Sequence, residues 1–305
     1  MARLPGWDAE DHAAAFAAVR YACQQAPGRG RSRECGEALA AGELGENAAR
    51  TFLENHFRAA PIEGEGLLTG YFFPSYEARS QSEGNFTAPV RPAPASPAAA
   101  PDRAAIERSP ATDALAWMRP EDLFFLQVQG SGVLTFADGM RRRAVFAGSN
   151  GQAFVAIARP MTAQGLIAPR EASAAGVHDW LAAHRGAAAQ AVMDLDPRYI
   201  FFRLVPDDGG EPRGASGAAL VAGRSLAVDP AYHPYFELLW IDASASTLTG
   251  ARPSYQRVAL ALDRGAAILG RVRADLFIGS GPVAGEEAAR IRHTLHLYRI
   301  VPVEP

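Results

Sequence analysis

A mainly β protein with helices at its N-terminus is what this 305-residue sequence predicts, on three observations. Short runs of aliphatic, aromatic and β-branched residues, stopped by Gly, Pro or Asp, recur from residue 66 onward. Asp138-Gly139 sits between two alternating runs, the signature of a tight hairpin. The longest helical pattern, residues 8–26, lies at the N-terminus.

In chain order, residues 8–26 read as an amphipathic helix capped by Asp8, with Asp11 three residues on. Residues 45–57 read as a second helix, with Ala49, Phe52, Leu53 and Phe57 on one stripe. "GLLTGYFFPSYEA" (66–78) reads as a strand stopped by Pro74. The Pro/Ala-rich stretch 88–114 reads as a long surface excursion. Residues 122–148 are strongly β, 172–186 a helix on which Trp180 packs, and 196–205 a strand. Strands follow at 217–230, 257–270, 272–279 and 293–301, with a short helix at 283–292 after Pro282.

Length favours two domains. The chain is 48% hydrophobic and 21% charged, its net charge is −3, and its basic residues are scattered. No nucleic-acid footprint is present, and no run approaches the ~18 apolar residues of a membrane helix. Lysine is absent, which reflects codon usage rather than function. Cys23 and Cys35 are too few for a zinc site. They form either a disulfide, in an oxidising compartment, or two free buried thiols. No histidine spacing suits a metal, and neither metal nor cofactor is expected. Arg141-Arg142-Arg143 reads as a solvated hairpin end.

Chemistry concentrates in three aspartates. Asp229 ("LAVDPAYHP"), Asp263 ("ALALDRGAAI") and Asp275 ("VRADLFIGSG") each follow apolar sequence and precede Gly or Pro. Lost solvation raises a carboxyl's pKa and suits it to general-acid work. The competing reading is turn or capping aspartates. Three polar clusters suit a neutral glycan. They are Thr69 with Tyr71; Gln127, Gln129 and Ser131 beside Gly130 and Gly132; and Ser149, Asn150 and Gln152. As strand residues, Gln127 and Gln129 would share a face.

"AVDPAYHP", "LDRGAAILGRVRADLFIGSGPVAGEEA" and "LHLYRI" resemble the three-aspartate domain of the MltA-type lytic transglycosylases. "LLTGYFFPSYEAR", "FFLQVQGSGVLTFADG", "VFAGSNGQAF" and "DPRYIFFR" resemble that family's other blocks, in the same order. The resemblance implies a double-psi β-barrel domain (1–74 and 207–305) with an inserted second β-rich domain (75–206) and a groove between them. It implies cleavage of the MurNAc-β-1,4-GlcNAc bond of peptidoglycan, leaving 1,6-anhydro ends, with endo versus exo action left open. Asp275 takes the place of the catalytic aspartate, and Gly279-Ser280-Gly281 makes room for a sugar. Asp263 and Asp229 are candidates to stabilise developing positive charge or to hold Asp275, with structural support of the barrel the preferred reading. The partner is then the peptidoglycan glycan strand. The protein is expected to be a periplasmic monomer whose leader is not in this sequence, its outer-membrane lipid anchor left open. Two departures stand out: "DRGAAI" has Ala266 where the family carries a second glycine, and "YFELLW" follows "AVDPAYHP" where a glycine is usual. A non-catalytic wall-binding protein and a hydrolase using Asp263 and Asp275 as a pair are the alternatives.

Overall fold

Asp11 starts the first helix: its carboxylate accepts the Ala14 N–H at 2.9 Å and caps α1 (His12–Gln25). The cap expected at Asp8 is displaced, because Asp8 lies in a 3-10 turn (Trp7–Ala9) and its carboxylate pairs with Arg50. The computed structural model describes residues 1–26, 28, 32–251 and 254–303. It adds a helix that the sequence reading lacked, α2 (Arg33–Ala41), and places α3 (Glu46–His56) inside the expected 45–57. Cys23 of α1 and Cys35 of α2 are joined as a disulfide.

Strand β1 (Phe57–Phe73) is longer than expected, and β2 (Ser75–Ala78) follows Pro74. The stretch 88–114 is not purely surface. It contains β3 (Ala88–Val90) and α4 (Arg103–Arg108), and Arg103 and Ile106 are buried. After β4 (Ala116–Met118), residues 120–129 form helix α5 (Pro120–Gln129) rather than a strand. Local signals favour the helix. Pro120 is at its first turn with Glu121 and Asp122, and Gly130 closes it in the left-handed conformation at φ +84. The hairpin is as expected: β5 (Gly132–Phe136) and β6 (Arg141–Ser149) flank Gly139 at φ +83, and Asp138 accepts the Met140 N–H. Then come α6 (Ala158–Ala163), α7 (Ala174–Ala183), α8 (Ala187–Met193) and β7 (Ile200–Pro206). Trp180 packs with the helical core and stacks on His184 at 4.2 Å.

The last third carries β8 (Ser225–Val228), β9 (Leu238–Ala243), β10 (Tyr255–Asp263), β11 (Arg273–Ser280), α9 (Pro282–Ala288) and β12 (Arg292–Pro302). The strands expected at 217–230 and 257–270 are shorter, because their Gly-containing ends turn, closed by backbone bonds such as Gly217 N–H to the Gly214 carbonyl and Ile268 N–H to the Gly265 carbonyl. Strand β9 was not expected.

Contacts divide the chain into two compact units. The first comprises Met1–Tyr71, Glu211–Gly279 and the stretch from Glu286 onward; the second is Phe72–Gly210 with Ser280–Gly285. In the first unit six strands close a barrel in the order β1-β11-β8-β10-β9-β12, and β8 and β10 run parallel. Leu68, Leu226, Val228, Ile241, Ala261, Ala274, Leu276 and Leu297 fill its core. Gly66 permits one close approach: a Cβ there would stand 1.6 Å from the Val272 carbonyl oxygen. The N-terminal helices are tied to this barrel by a buried pair, in which Arg224 donates to Glu10 at 2.9 Å and Glu10 also accepts the Val258 N–H at 2.7 Å. In the second unit a sheet ordered β2-β5-β6-β7 packs Leu134, Phe136, Ala144 and Phe202 against Leu123 and Leu126 of α5. Arg141 and Arg143 of the arginine run pair with Asp207 at 2.9 and 2.8 Å; Arg141 stays exposed, as a hairpin end should, whereas Arg143 is largely buried. No helix among the described residues is long and apolar enough to cross a membrane.

Candidate active site on the barrel wall

Strand alternation decides which side chains meet. Ala274 and Leu276 point into the barrel core, so Arg273, Asp275 and Phe277 lie on its outer wall. The same argument puts Thr69 and Tyr71 outside, because Leu68 is inside. Strand β8 lies between β10 and β11, and its Ala227 is the register partner of both Asp263 and Asp275. A register slip after Ala261 brings Asp263 to that position. The two aspartates thus flank one alanine, their backbones about two strand spacings (roughly 10 Å) apart along the sheet.

Hydrogen bonds fix each group. Thr69 Oγ1 donates to Asp275 Oδ1 at 2.5 Å. Tyr71 donates from its hydroxyl to Asp263 Oδ2 at 3.0 Å, and its ring packs on Phe277 at 5.4 Å. Asp263 Oδ1 accepts the N–H groups of Ala215 and Arg264, both at 2.9 Å. Burial lifts the Asp275 carboxyl to about 6, with the Asp263 charge adding to the rise while Thr69 and Arg273 pull it down. Burial raises Asp263 as well, against its three hydrogen bonds. Tyr71 is held well above its usual value by burial and then by the two aspartates. Asp275 is therefore a carboxyl that keeps its proton closer to neutrality than an exposed aspartate and, once ionised, is a stronger base.

Asp229 has a different environment. Its oxygens accept the N–H groups of Gly270 at 2.8 Å and Ala231 at 3.0 Å, which hold it below the usual carboxylate range. It serves as a loop clamp at the end of β8. Buried His233 continues that clamp, with Nδ1 2.6 Å from Glu237 and Nε2 2.8 Å from the Arg271 carbonyl at the entry to β11.

The remaining sequence-nominated residues lie in or beside the second unit. Gln127 is buried within α5, where Oε1 accepts from Arg103 at 2.6 Å and Nε2 donates to the Ile200 carbonyl at 3.2 Å. It does not share a strand face with Gln129, since both belong to a helix. Asn150 is buried too. Its amide donates to the Pro101 and Pro197 carbonyls and accepts the Tyr199 N–H, so it ties three segments together. Gly130 is the α5 cap, and a Cβ on Gly132 would meet Leu126 at 2.8 Å. Gln129, Ser131 and Ser149 are half-buried and Gln152 is exposed. Gly279 ends the first unit on β11, and Ser280 is exposed beside it. Gly281 makes the turn, its N–H donating to the Phe73 carbonyl at 3.0 Å. Two side chains of this cluster escaped the sequence reading. Phe277 packs on Tyr71, and Arg273 donates from Nη2 to Thr69 Oγ1 at 2.9 Å. Both are two residues from Asp275, and that period-2 spacing is the signal that could have found them.

Comparison with known proteins agrees with this architecture. The family model for the MltA specific insert domain matches residues 95–203, and that for the 3D domain matches residues 224–301. Membrane-bound lytic murein transglycosylase A of Escherichia coli K12 is 30% identical over 236 residues, or 75% of this chain. The chain spans 64% of that relative's length. Among solved structures, lytic transglycosylase LtgG of Burkholderia pseudomallei is 30% identical with a TM-score of 0.67, covering 99% of this chain and 94% of that one. The membrane-bound lytic murein transglycosylase of Agrobacterium tumefaciens is 29% identical with a TM-score of 0.83, covering 99% and 96%. The E. coli MltA structure with bound chitohexaose is 25% identical with a TM-score of 0.78, covering 96% and 90%. The fold and these matches define a β-rich, two-domain protein of the lytic transglycosylase fold. The chain belongs to the MltA family of lytic murein transglycosylases.

Proposed function

We propose that this protein is a peptidoglycan lytic transglycosylase that cleaves the MurNAc-β-1,4-GlcNAc bond with Asp275 as its single acid, then base. The observation that carries the reading is the Asp275 carboxyl, raised to about 6 and held by Thr69 on the barrel wall. Protonated Asp275 delivers its proton to the glycosidic oxygen as the bond breaks. The sugar's own 6-hydroxyl then attacks C1, and the Asp275 carboxylate takes the hydroxyl proton. This closes a 1,6-anhydro ring with no water consumed and returns the acid to its starting state. Positive charge that develops on the sugar ring is stabilised by the ionised Asp263, oriented by Tyr71, Ala215 and Arg264. Asp229 acts indirectly, by holding the loop ahead of β11 through Gly270.

The closed six-stranded barrel with its parallel β8–β10 pair supports a double-psi reading of residues 1–74 and 207–305, with 75–206 as the insert. Within the insert, Gln129, Ser131 and Ser149 are the proposed glycan contacts, since Gln127 and Asn150 are already committed to the interior. Chitohexaose bound to the E. coli relative supports a β-1,4-linked amino-sugar strand as the ligand class. The Cys23–Cys35 disulfide supports a periplasmic site of action.

Product mass tests the reading. Sacculi digested by the wild-type protein should yield anhydro-muropeptides, and Asp275→Asn should yield none. Products heavier by one water would identify a hydrolase instead. Sacculus binding without any product would identify a non-catalytic wall protein.

A further inference from the structure

The reading of Asp275 as the acid leaves open which carboxyl oxygen carries the proton, and the wall around it contains an answer. A guanidinium has donors and no acceptor. Arg273 Nη2, 2.9 Å from Thr69 Oγ1, can only donate to it. The positive charge turns the hydroxyl dipole so that oxygen faces Arg273 and hydrogen faces Asp275 Oδ1 at 2.5 Å. Oδ1 is then an acceptor whether Asp275 is ionised or neutral, which leaves Oδ2 as the oxygen that holds the proton. The guanidinium is also fixed in place. Its Nη1 donates to the Ala274 carbonyl on its own strand at 2.6 Å and to the Leu67 carbonyl on β1 at 3.3 Å.

We infer that Arg273 is a positioning residue for this reaction: acting through Thr69, it keeps the transferable proton of Asp275 on Oδ2. The inference rests on Asp275 being the general acid. Without Arg273, Thr69 is free to rotate and accept from Oδ1, and the proton is then shared with a threonine instead of offered to substrate. The charged and titratable groups around Asp275 come from four elements. Arg273 lies on β11, Tyr71 on β1, Asp263 at the end of β10, and Arg292 on β12 directly across from Thr69. Strand β8 contributes only uncharged Ala227. Among these, Arg273 favours the Asp275 carboxylate and Asp263 opposes it. Removing Arg273 therefore raises the pH at which Asp275 ionises.

The test is turnover against pH on purified sacculi for the wild type, Arg273→Met, Arg273→Lys and Thr69→Val, plus the double variant Arg273→Met/Thr69→Val. For Arg273→Met the expected result is a fall in kcat of about 10- to 100-fold with KM within about twofold, in the range of one lost charge-assisted hydrogen bond. Its alkaline limb should move to higher pH. Arg273→Lys keeps charge and donor, so it should restore the limb and most of the turnover. The double variant should be no slower than Thr69→Val alone, because Arg273 acts through Thr69. An Arg273→Met limb that stays at its wild-type pH, or losses that add in the double variant, would overturn the inference. If Arg273→Met fails to fold by thermal melt, Arg273→Lys decides: a displaced limb or wild-type-unlike proton dependence there also overturns it. A wild type that makes no anhydro product would sink the parent reading instead, so the two failures are distinct.

Discussion

Replacing Asp275 with asparagine should make the protein more stable while abolishing its chemistry, and the size of that gain can be worked out. The Asp275 carboxyl sits at about 6 against an ordinary 3.8. A raised carboxyl binds its proton more tightly in the folded than in the unfolded chain. Its contribution is most favourable below the unfolded value and is lost as pH rises through the folded one. Above both values the charged form costs roughly 3 kcal/mol, at about 1.36 kcal/mol per pKa unit. Asparagine keeps the shape and still accepts from Thr69, but it cannot ionise. Its extra N–H group must find a partner, which offsets part of the gain, so the net expectation is ~1–3 kcal/mol at about pH 7.5. That corresponds to a rise of roughly 3–10 °C in the melting temperature of a unit this size. At about pH 4 the folded carboxyl is neutral but the unfolded one is still about half ionised, so the gain should shrink to roughly 0.5 kcal/mol or less. Differential scanning calorimetry of the two proteins at both pH values measures this. A gain of equal size at both pH values, or a loss at the higher one, would refute the argument that desolvation raises Asp275.

Other consequences are equally open to measurement. Asp263→Asn removes a neighbouring charge that raises Asp275, so the alkaline limb of turnover should move to lower pH while anhydro product persists at reduced rate; complete loss of product would favour a two-carboxylate mechanism. Gln127→Leu removes one of the acceptors of Arg103 and the side-chain donor to the Ile200 carbonyl. It should cost the protein ~1–3 kcal/mol in urea unfolding and leave KM near wild type; a large KM effect with unchanged stability would restore Gln127 as a ligand contact. Reducing Cys23–Cys35, or replacing both residues with serine, reopens a short loop between α1 and α2. The expected loss of stability is about 2–3 kcal/mol, and an unchanged denaturation midpoint would contradict it.

The barrel was readable where its strands are long apolar runs. Strands β10, β11 and β12 appear in the sequence as "RVALALD", "RADLFIGS" and "HTLHLYRIV", whose alternate residues fill one core. Strand β9 was missed because "LLWIDA" is short and follows a proline-rich loop, so periodicity has little to work on. Residues 120–129 were misread for the opposite reason. Phe124, Phe125 and Val128 have strand-favouring side chains, but the proline, the acidic first turn and the Gly130 cap specify a helix. The site was legible residue by residue and not as a constellation. Asp275 stood out by its apolar flank, whereas its bond to Thr69 spans 206 residues and depends on two strands meeting in a closed barrel. Likewise Asp229 and Asp263 look alike in sequence and each accepts two backbone amides; the Tyr71 hydroxyl and the shared register position at Ala227 are what join Asp263, and not Asp229, to the Asp275 cluster.

The central claim is that Asp275 keeps its proton toward neutral pH because the barrel wall desolvates it. Carbon-13 NMR of the Asp275 carboxyl, assigned by comparison with Asp275→Asn, follows that proton directly through a pH titration. The account predicts a midpoint near 6. A midpoint at the ordinary aspartate value of about 4 would contradict it.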